Sequence, residues 1–417
     1  MKVLLVTQYF DPENLPINFV AELMTKSNIE VDVITAKPNY PEGKFYKGFG
    51  FFSKITYLNN KNSSNIYRLP ILPRGSGSMR GIKLGLNYLS FVISASIIPF
   101  FIIRKKKYDL VFVYANSPIL KTIPALIIGR WKRIPVILWV QDLWPESFEA
   151  SGFKLPFFVR KTIFKIVKMI YSYTTLIACQ SNGFRKKIYE DFKIPKEKLI
   201  YLPNTVDSIF ENPPNGLNSI VGNRLKPYKE FFNIIFTGNI GEAQSIITIL
   251  QAAEMLQSSC PNIRFLFVGG GSKKEEMVKY ANENNLDNII FLGSFPVSDM
   301  PEILDAASAL IITLKQDPIF SLTIPNKLQS YLAAGKPILG SIEGEGAVII
   351  NDASCGFTCS PENPLELASI CKKMFELNYK QRDLFGLNAS KFYQENFSPK
   401  TFIKNFLFIA KESIKTF

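Results

Sequence analysis

The sequence predicts an α/β protein with two doubly wound parallel domains, and three observations carry that reading. Short apolar runs rich in β-branched residues alternate with longer helical patterns, as buried parallel strands and their crossover helices do. The alternation stops at a polar Pro/Asn/Gly stretch and then starts again. Charge splits at the same place. Residues 1–207 hold 30 basic and 14 acidic side chains, a net of +16, whereas residues 208–417 hold 19 and 21, a net of −2.

In the first half, Val3–Thr7, Val31–Thr35, Leu110–Tyr114, Val136–Val140, Thr175–Cys179 and Leu199–Leu202 read as strands buried on both faces. In the second half the strands are Ile234–Phe236, Phe265–Val268, Ile289–Leu292, Ala309–Thr313 and Ile338–Leu339, several of them ending in glycine. The expected division is residues 1–207, a linker 208–228, a second domain 229–395, and a C-terminal helix 396–417 crossing back to the first domain. Ligands of such sheets bind beyond the carboxyl ends of the strands, and two such edges are expected to face one cleft.

Composition excludes much chemistry. Among 417 residues there is no histidine, so neither Ser-His-Asp nor Cys-His nucleophiles nor His-ligated metals are possible. The five cysteines form neither a disulfide framework nor a zinc pattern. No Asp-x-Asp pair is present to hold a divalent ion against a diphosphate. No metal and no cofactor are expected. Lys2-Val-Leu-Leu-Val runs straight into a structured pattern, so no secretory leader is expected and a reducing cytoplasmic location is inferred.

Two segments suggest contact with a membrane surface. Leu84–Ile103 is an uncharged run of spanning length followed by Arg104-Lys105-Lys106-Lys107, but Asn87, three serines and Pro99 favour a buried or interfacial helix. Lys154–Tyr171 reads as a basic amphipathic helix. Arg160, Lys161, Lys165 and Lys168 share an arc of about 140°, with Ile163, Ile166, Val167, Met169 and Ile170 mainly opposite. An ordinary surface helix with solvated lysines fits as well. Nucleic acid is not expected, because basic and aromatic residues do not interleave.

Four segments can carry chemistry. Gln8 to Glu13 follows the first strand without a Gly-x-Gly-x-x-Gly fingerprint. Gln141-Asp142-Leu143-Trp144-Pro145-Glu146 puts two carboxylates beside an aromatic, suited to orienting a sugar or accepting a proton, although Trp144-Pro145 reads equally as packing at a helix start. Gly238 to Gln244 brings glycines to a helix N-terminus, where anions bind. Lys327 opens a helix ended by Gly335. A lysine there opposes the helix dipole, which makes it a better candidate for meeting a phosphate than for a structural role.

At these segments the chain resembles the retaining glycosyltransferases of the GT-B fold, family 4. The resemblance is closest to the branch that includes the L-fucosamine (N-acetyl-L-fucosamine) transferases of bacterial O-antigen and capsule clusters. It rests on Tyr9–Glu13, Pro38–Gly43, Asp142–Ser147, Gln180–Phe184, Leu202–Asp207, Gly238–Gln244 and Pro325–Pro337. It implies transfer of a sugar from a nucleoside diphosphate donor, UDP-linked, to a polyprenyl-diphosphate-linked glycan at the anionic inner face of the cytoplasmic membrane. Asp142 and Glu146 are the implied catalytic residues. Tyr9, Asp11, Asn39, Tyr40, Trp144 and Ser181 are implied to bind acceptor. Gly238, Asn239, Gly241, Gln244, Gly270, Lys327, Ser330 and Tyr331 are implied to bind donor. The chain departs from the family where a histidine becomes Gln141, an arginine and a lysine become Asn239 and Gln244, and two glutamates become Leu322 and Ser330. The alternatives are a non-catalytic membrane-surface sugar-binding protein and a non-hydrolysing UDP-sugar epimerase, whose usual histidines are missing here.

Overall fold

A computed structural model describes residues 1–59, 64–75, 80–147, 156–211 and 219–417. The chain divides into two compact units, Met1–Pro203 with Phe402–Phe417, and Asn204–Thr401.

The sheet of the first unit comprises β1 (Lys2–Val6), β2 (Glu30–Ala36), β3 (Thr56–Asn59), β4 (Ser64–Leu69), β5 (Leu110–Ala115), β6 (Val136–Val140), β7 (Leu176–Cys179) and β8 (Leu199–Tyr201). Its order is β3-β4-β2-β1-β5-β6-β7-β8, parallel except for the β3–β4 pair. From β1 the chain winds outward to β2 and β4, then returns to β5 on the other side of β1, so the switch point lies between β1 and β5. Strands β1, β5 and β6 are buried throughout their central residues, which is why they read as unbroken apolar runs.

The second sheet holds β9 (Phe232–Thr237), β10 (Ile263–Val268), β11 (Ile289–Gly293), β12 (Ala309–Thr313), β13 (Ile338–Ser341) and β14 (Gly356–Cys359), ordered β11-β10-β9-β12-β13-β14 and parallel. Its switch point lies between β9 and β12. Both units are thus doubly wound, as the sequence predicts.

The final helix, Pro399–Thr416, leaves the second unit after Thr401 and enters the core of the first. Phe406 meets Phe112 edge-on at 5.0 Å between ring centres, and Phe402 lies 5.2 Å from Trp139. Phe406, Ile409 and Ala410 are buried there with Val3, Leu5 and Ile17.

Several expectations need correcting. Strands β3, β4 and β14 were absent from the sequence reading. The Leu84–Ile103 run is not one helix: Arg80–Ile97 is followed by a separate turn at Pro99–Ile102, because proline supplies no N–H to the preceding turn. In the stretch read as linker, Ser208–Phe210 and Ser219–Leu225 are helical, and residues 212–218 lie outside the described ones. The basic helix runs Phe157–Tyr173, with Val167 and Ile170 buried as expected but Met169 exposed. Lys154 lies outside the described residues.

Candidate functional site

In the second unit the residues after β9 and β10 form two glycine turns packed back to back. Gly238 has φ +115° and Gly269 φ +140°, and a Cβ on Gly269 would stand 1.9 Å from the Gly238 carbonyl oxygen. Only glycine satisfies both the backbone region and the space. The Gly238 N–H donates to the Val268 carbonyl at 2.8 Å and the Ile240 N–H to that of Gly270 at 2.8 Å. Asn239 folds over this turn: a Cβ on Gly241 would come within 2.4 Å of its Nδ2. The end of β12 and the residues after it hold the other side, with the Lys315 N–H donating to the Ala243 carbonyl at 3.0 Å and the Thr313 hydroxyl to the Gln244 carbonyl.

Into this turn projects Lys327, from the first turn of the Asn326–Ala333 helix. Its Nζ donates to Gln244 Oε1 at 2.8 Å, stands 3.7 Å from the centre of the Phe236 ring, and lies 3.8 Å from a Cβ built on Gly238. Burial pushes the ammonium down to about 7, with no carboxylate offsetting it. A cation kept in a low-dielectric pocket gains most when an anion arrives. The structure therefore gathers Gly238, Asn239, Gly241, Gln244 and Lys327 at the β9–β12 switch point.

The other donor-side residues serve this arrangement less directly. Tyr331 is fully buried, and its hydroxyl accepts the Thr237 N–H at 2.9 Å, fixing the end of β9. Ser330 Oγ donates to the Lys327 carbonyl at 2.9 Å. Gly270 lies in the β10 turn, where a Cβ would meet Ser294 Oγ at 3.3 Å.

In the first unit, loops after β1, β2 and β4 converge on buried Glu13. Its carboxylate accepts the N–H groups of Asn39 and Tyr40 at 2.8 Å each and of Phe10 at 3.1 Å. Burial raises this carboxyl, while those three bonds pull the other way. Tyr9 and Tyr40 lie 5.3 Å apart. The Arg74 guanidinium stands 5.5 and 5.0 Å from their ring centres and donates to the Tyr9 hydroxyl at 3.2 Å. Asn39 and Tyr9 also meet Asn87, whose Oδ1 accepts from Gln8 Nε2 at 2.8 Å. Asp11 is exposed, and its carbonyl accepts from Arg68.

After β5 and β6, Asp142 Oδ2 accepts the Ser117 N–H at 2.6 Å. Lys121 is fully buried, donates to Asn116 Oδ1 and lies over the Tyr9 ring. Burial pulls its ammonium down to about 7 against the charge of Asp142. Trp144 is mostly buried, with its indole N–H donating to Ser117 Oγ at 3.0 Å. Ser181 is a helix N-cap accepting the Phe184 N–H at 3.0 Å. Glu146 pairs with Lys187 at 3.4 Å. Gln141 is buried, and its Nε2 has no hydrogen-bond partner among the described residues.

Tyr9, Asn39 and Tyr40 therefore form one polar cluster around Arg74 and Asn87, linked through Lys121 to the charge of Asp142, while Trp144 binds Ser117, Ser181 caps a helix and Glu146 is tied to Lys187. The sequence reading did not single out Glu13, Arg74, Asn87 or Lys121 as members of this cluster. Glu13 alone carried a signal, standing inside the loop after β1.

Residues 232–376 match the family described as glycosyl transferases group 1. The chain is 26% identical over 312 residues to the probable glycosyltransferase WbjE of Pseudomonas aeruginosa, covering 73% of this chain and 74% of that one. It is 23% identical over 349 residues to the putative colanic acid biosynthesis glycosyl transferase WcaI of Escherichia coli, covering 80% and 82%. Among solved structures it resembles a glycosyltransferase from Rickettsia africae, with a TM-score of 0.73, 15% identity and coverage of 99% and 98%. Anabaena HepE in complex with UDP superposes with a TM-score of 0.68, 13% identity and coverage of 99% and 100%. The fold is GT-B, and the relatives support a glycosyltransferase.

Proposed function

We propose that this glycosyltransferase moves a sugar from a UDP-linked donor to a glycan carried on a polyprenyl diphosphate, in the assembly of a surface polysaccharide. The branch it resembles points to N-acetyl-L-fucosamine as the sugar. The observation that carries the reading is Lys327, a buried cation at a glycine turn on the switch point of the second sheet. The UDP bound by HepE and the polysaccharide role in the name of WcaI support it.

When the glycosidic bond to the diphosphate breaks, negative charge grows on the leaving oxygen. The Lys327 ammonium meets that charge in a desolvated pocket, where such contacts count most. Gln244, a neutral amide, orients Lys327 without neutralising it. The acceptor occupies the Tyr9, Asn39, Tyr40 pocket. There Asp142, held by the Ser117 N–H, accepts a hydrogen bond from the attacking hydroxyl. Basic residues 104–107 and the Phe157–Tyr173 helix bring the first unit to the anionic inner membrane face, where the lipid-linked acceptor resides.

The test is a transfer assay on purified Lys327→Met, Asp142→Asn and Glu146→Gln. Lys327→Met is expected to lower kcat by about 10²–10³ and Asp142→Asn by about 10²–10⁴. Wild-type turnover in all three would remove the assignment.

A further inference from the structure

We propose that the Arg80–Ile97 helix is a membrane anchor lying in the plane of the bilayer, its outer face seated in anionic lipid and its inner face forming a wall of the acceptor pocket. The two faces of this helix have opposite chemistry. Inward, Asn87 is fully buried and holds three loops. Its Nδ2 donates to the Leu72 carbonyl at 2.6 Å and to Asn39 Oδ1 at 3.4 Å, and its Oδ1 accepts from Gln8 at 2.8 Å and from the Tyr9 hydroxyl at 3.4 Å. Phe91 and Ala95 are buried on the same side.

Outward, Ile82, Leu86, Leu89, Ile93 and Ile97 are 68, 46, 54, 51 and 54% exposed. At 100° per residue these five fall within an arc of about 80°. Phe101, 77% exposed, prolongs the apolar surface beyond Pro99. A helix on a water-facing surface carries polar residues there. Here the apolar 18-residue window of the segment 81–102 has a mean hydropathy of 1.7, and only 28% of that window is buried. Contiguous apolar surface of this extent marks an interaction site.

Charge selects lipid as the occupant. After the Pro99–Ile102 turn the chain reaches exposed Arg104, Lys105 and Lys107, and Asp109 is the sole acid between residues 51 and 141. The helix Thr122–Lys132 packs beside it and in turn beside Phe157–Tyr173. That last helix exposes Phe157 and Phe158, at 80 and 71%, together with Lys161, Lys165 and Lys168. An apolar stripe continuous with basic side chains is what an anionic interface binds. A transmembrane course is excluded by the inward bonds of Asn87, which a spanning helix would pull from the sheet. The anchor stands without the proposed activity. Its consequence rests on that reading: a single helix, about 10 Å thick, separates lipid from the Gln8, Tyr9 and Asn39 pocket, so the acceptor's headgroup meets the pocket at the membrane surface.

The experiment is flotation of the full chain with vesicles of phosphatidylglycerol and phosphatidylethanolamine, or of phosphatidylcholine alone. Wild type is expected to float with the anionic vesicles and to stay bound in part at high salt. Leu89→Ser/Ile93→Ser/Ile97→Ser is expected to bind them at least about tenfold more weakly, with unchanged UDP affinity and melting temperature. Lys105→Glu/Lys107→Glu is expected to lose the preference for anionic lipid. The proposal is overturned if the triple serine variant floats like wild type. It is also overturned if wild type is a vesicle-free dimer that the triple variant makes monomeric, which would assign the face to a second copy. Transfer to a soluble acceptor without vesicle binding removes the anchor and leaves the enzyme; vesicle binding without transfer does the reverse.

Discussion

Lys327 Nζ donates to Gln244 Oε1 at 2.8 Å, above a Phe236 ring centred 3.7 Å away. The resemblance noted from the sequence implies a lysine where Gln244 stands. Here the neutral amide leaves one buried ammonium at the glycine turn, held by a carbonyl oxygen and an aromatic face that hold a cation without cancelling it. In the proposed function, the positive charge for a diphosphate comes from the Asn326–Ala333 helix rather than from the loop after β9.

Nucleotide binding should therefore take up a proton. Free Lys327 titrates near 7, and a bound diphosphate raises that value. Well below 7 the lysine is already charged and binding draws no proton. Above 7 the free form is neutral and the bound form charged, so UDP affinity falls toward tenfold per pH unit. Calorimetry at about pH 8.5 in buffers of different ionisation enthalpy should register uptake approaching one proton, lost in Lys327→Met.

Lys121 sets a pH dependence of stability. Its ammonium titrates near 7 in the fold against 10.5 unfolded, so between those values the unfolded chain binds more protons. Stability contributed by this group therefore rises as pH rises from 7 toward 10.5. Lys121→Met removes the buried amine. The melting temperature of the variant relative to wild type should be highest below pH 7 and should decline as pH increases through that window.

The paired glycine turns tolerate no side chain. Gly269→Ala places a Cβ 1.9 Å from the Gly238 carbonyl at φ +140°. Strain of about 1–3 kcal/mol adds to the clash. Scanning calorimetry should show the second unit melting earlier, and UDP affinity should fall with the displaced turn.

The final helix is a core element of the first unit. Phe406 is fully buried against Phe112. Phe406→Ala should cost about 3–5 kcal/mol in that unit's denaturant transition and leave UDP binding to the second unit intact.

What the sequence revealed follows burial. β5, β6 and β9 are covered on both faces and so are written as unbroken apolar runs. The edge strands escaped notice. Thr56–Asn59 mixes polar and apolar residues, and all four residues of β14 are half-exposed. Lys327 was legible because a lysine opening a helix conflicts with the dipole. Asn87 was not: inside an apolar run it read as an argument against a membrane span. Only the fold brings Gln8, Tyr9 and the Leu72 carbonyl to it. Arg74 and Lys121 likewise lie away from the strand-end motifs and join the Tyr9 cluster through tertiary contacts.

The most direct test incubates the purified chain with a panel of UDP- and dTDP-sugars and a lipid-linked glycan acceptor, followed by mass spectrometry. One donor is expected to add a single glycosyl unit to the lipid-linked glycan and release an equal amount of nucleoside diphosphate, only when both substrates are present and not in Lys327→Met. No transfer from any donor, release that ignores the acceptor, or conversion of the donor sugar without an acceptor would contradict the account.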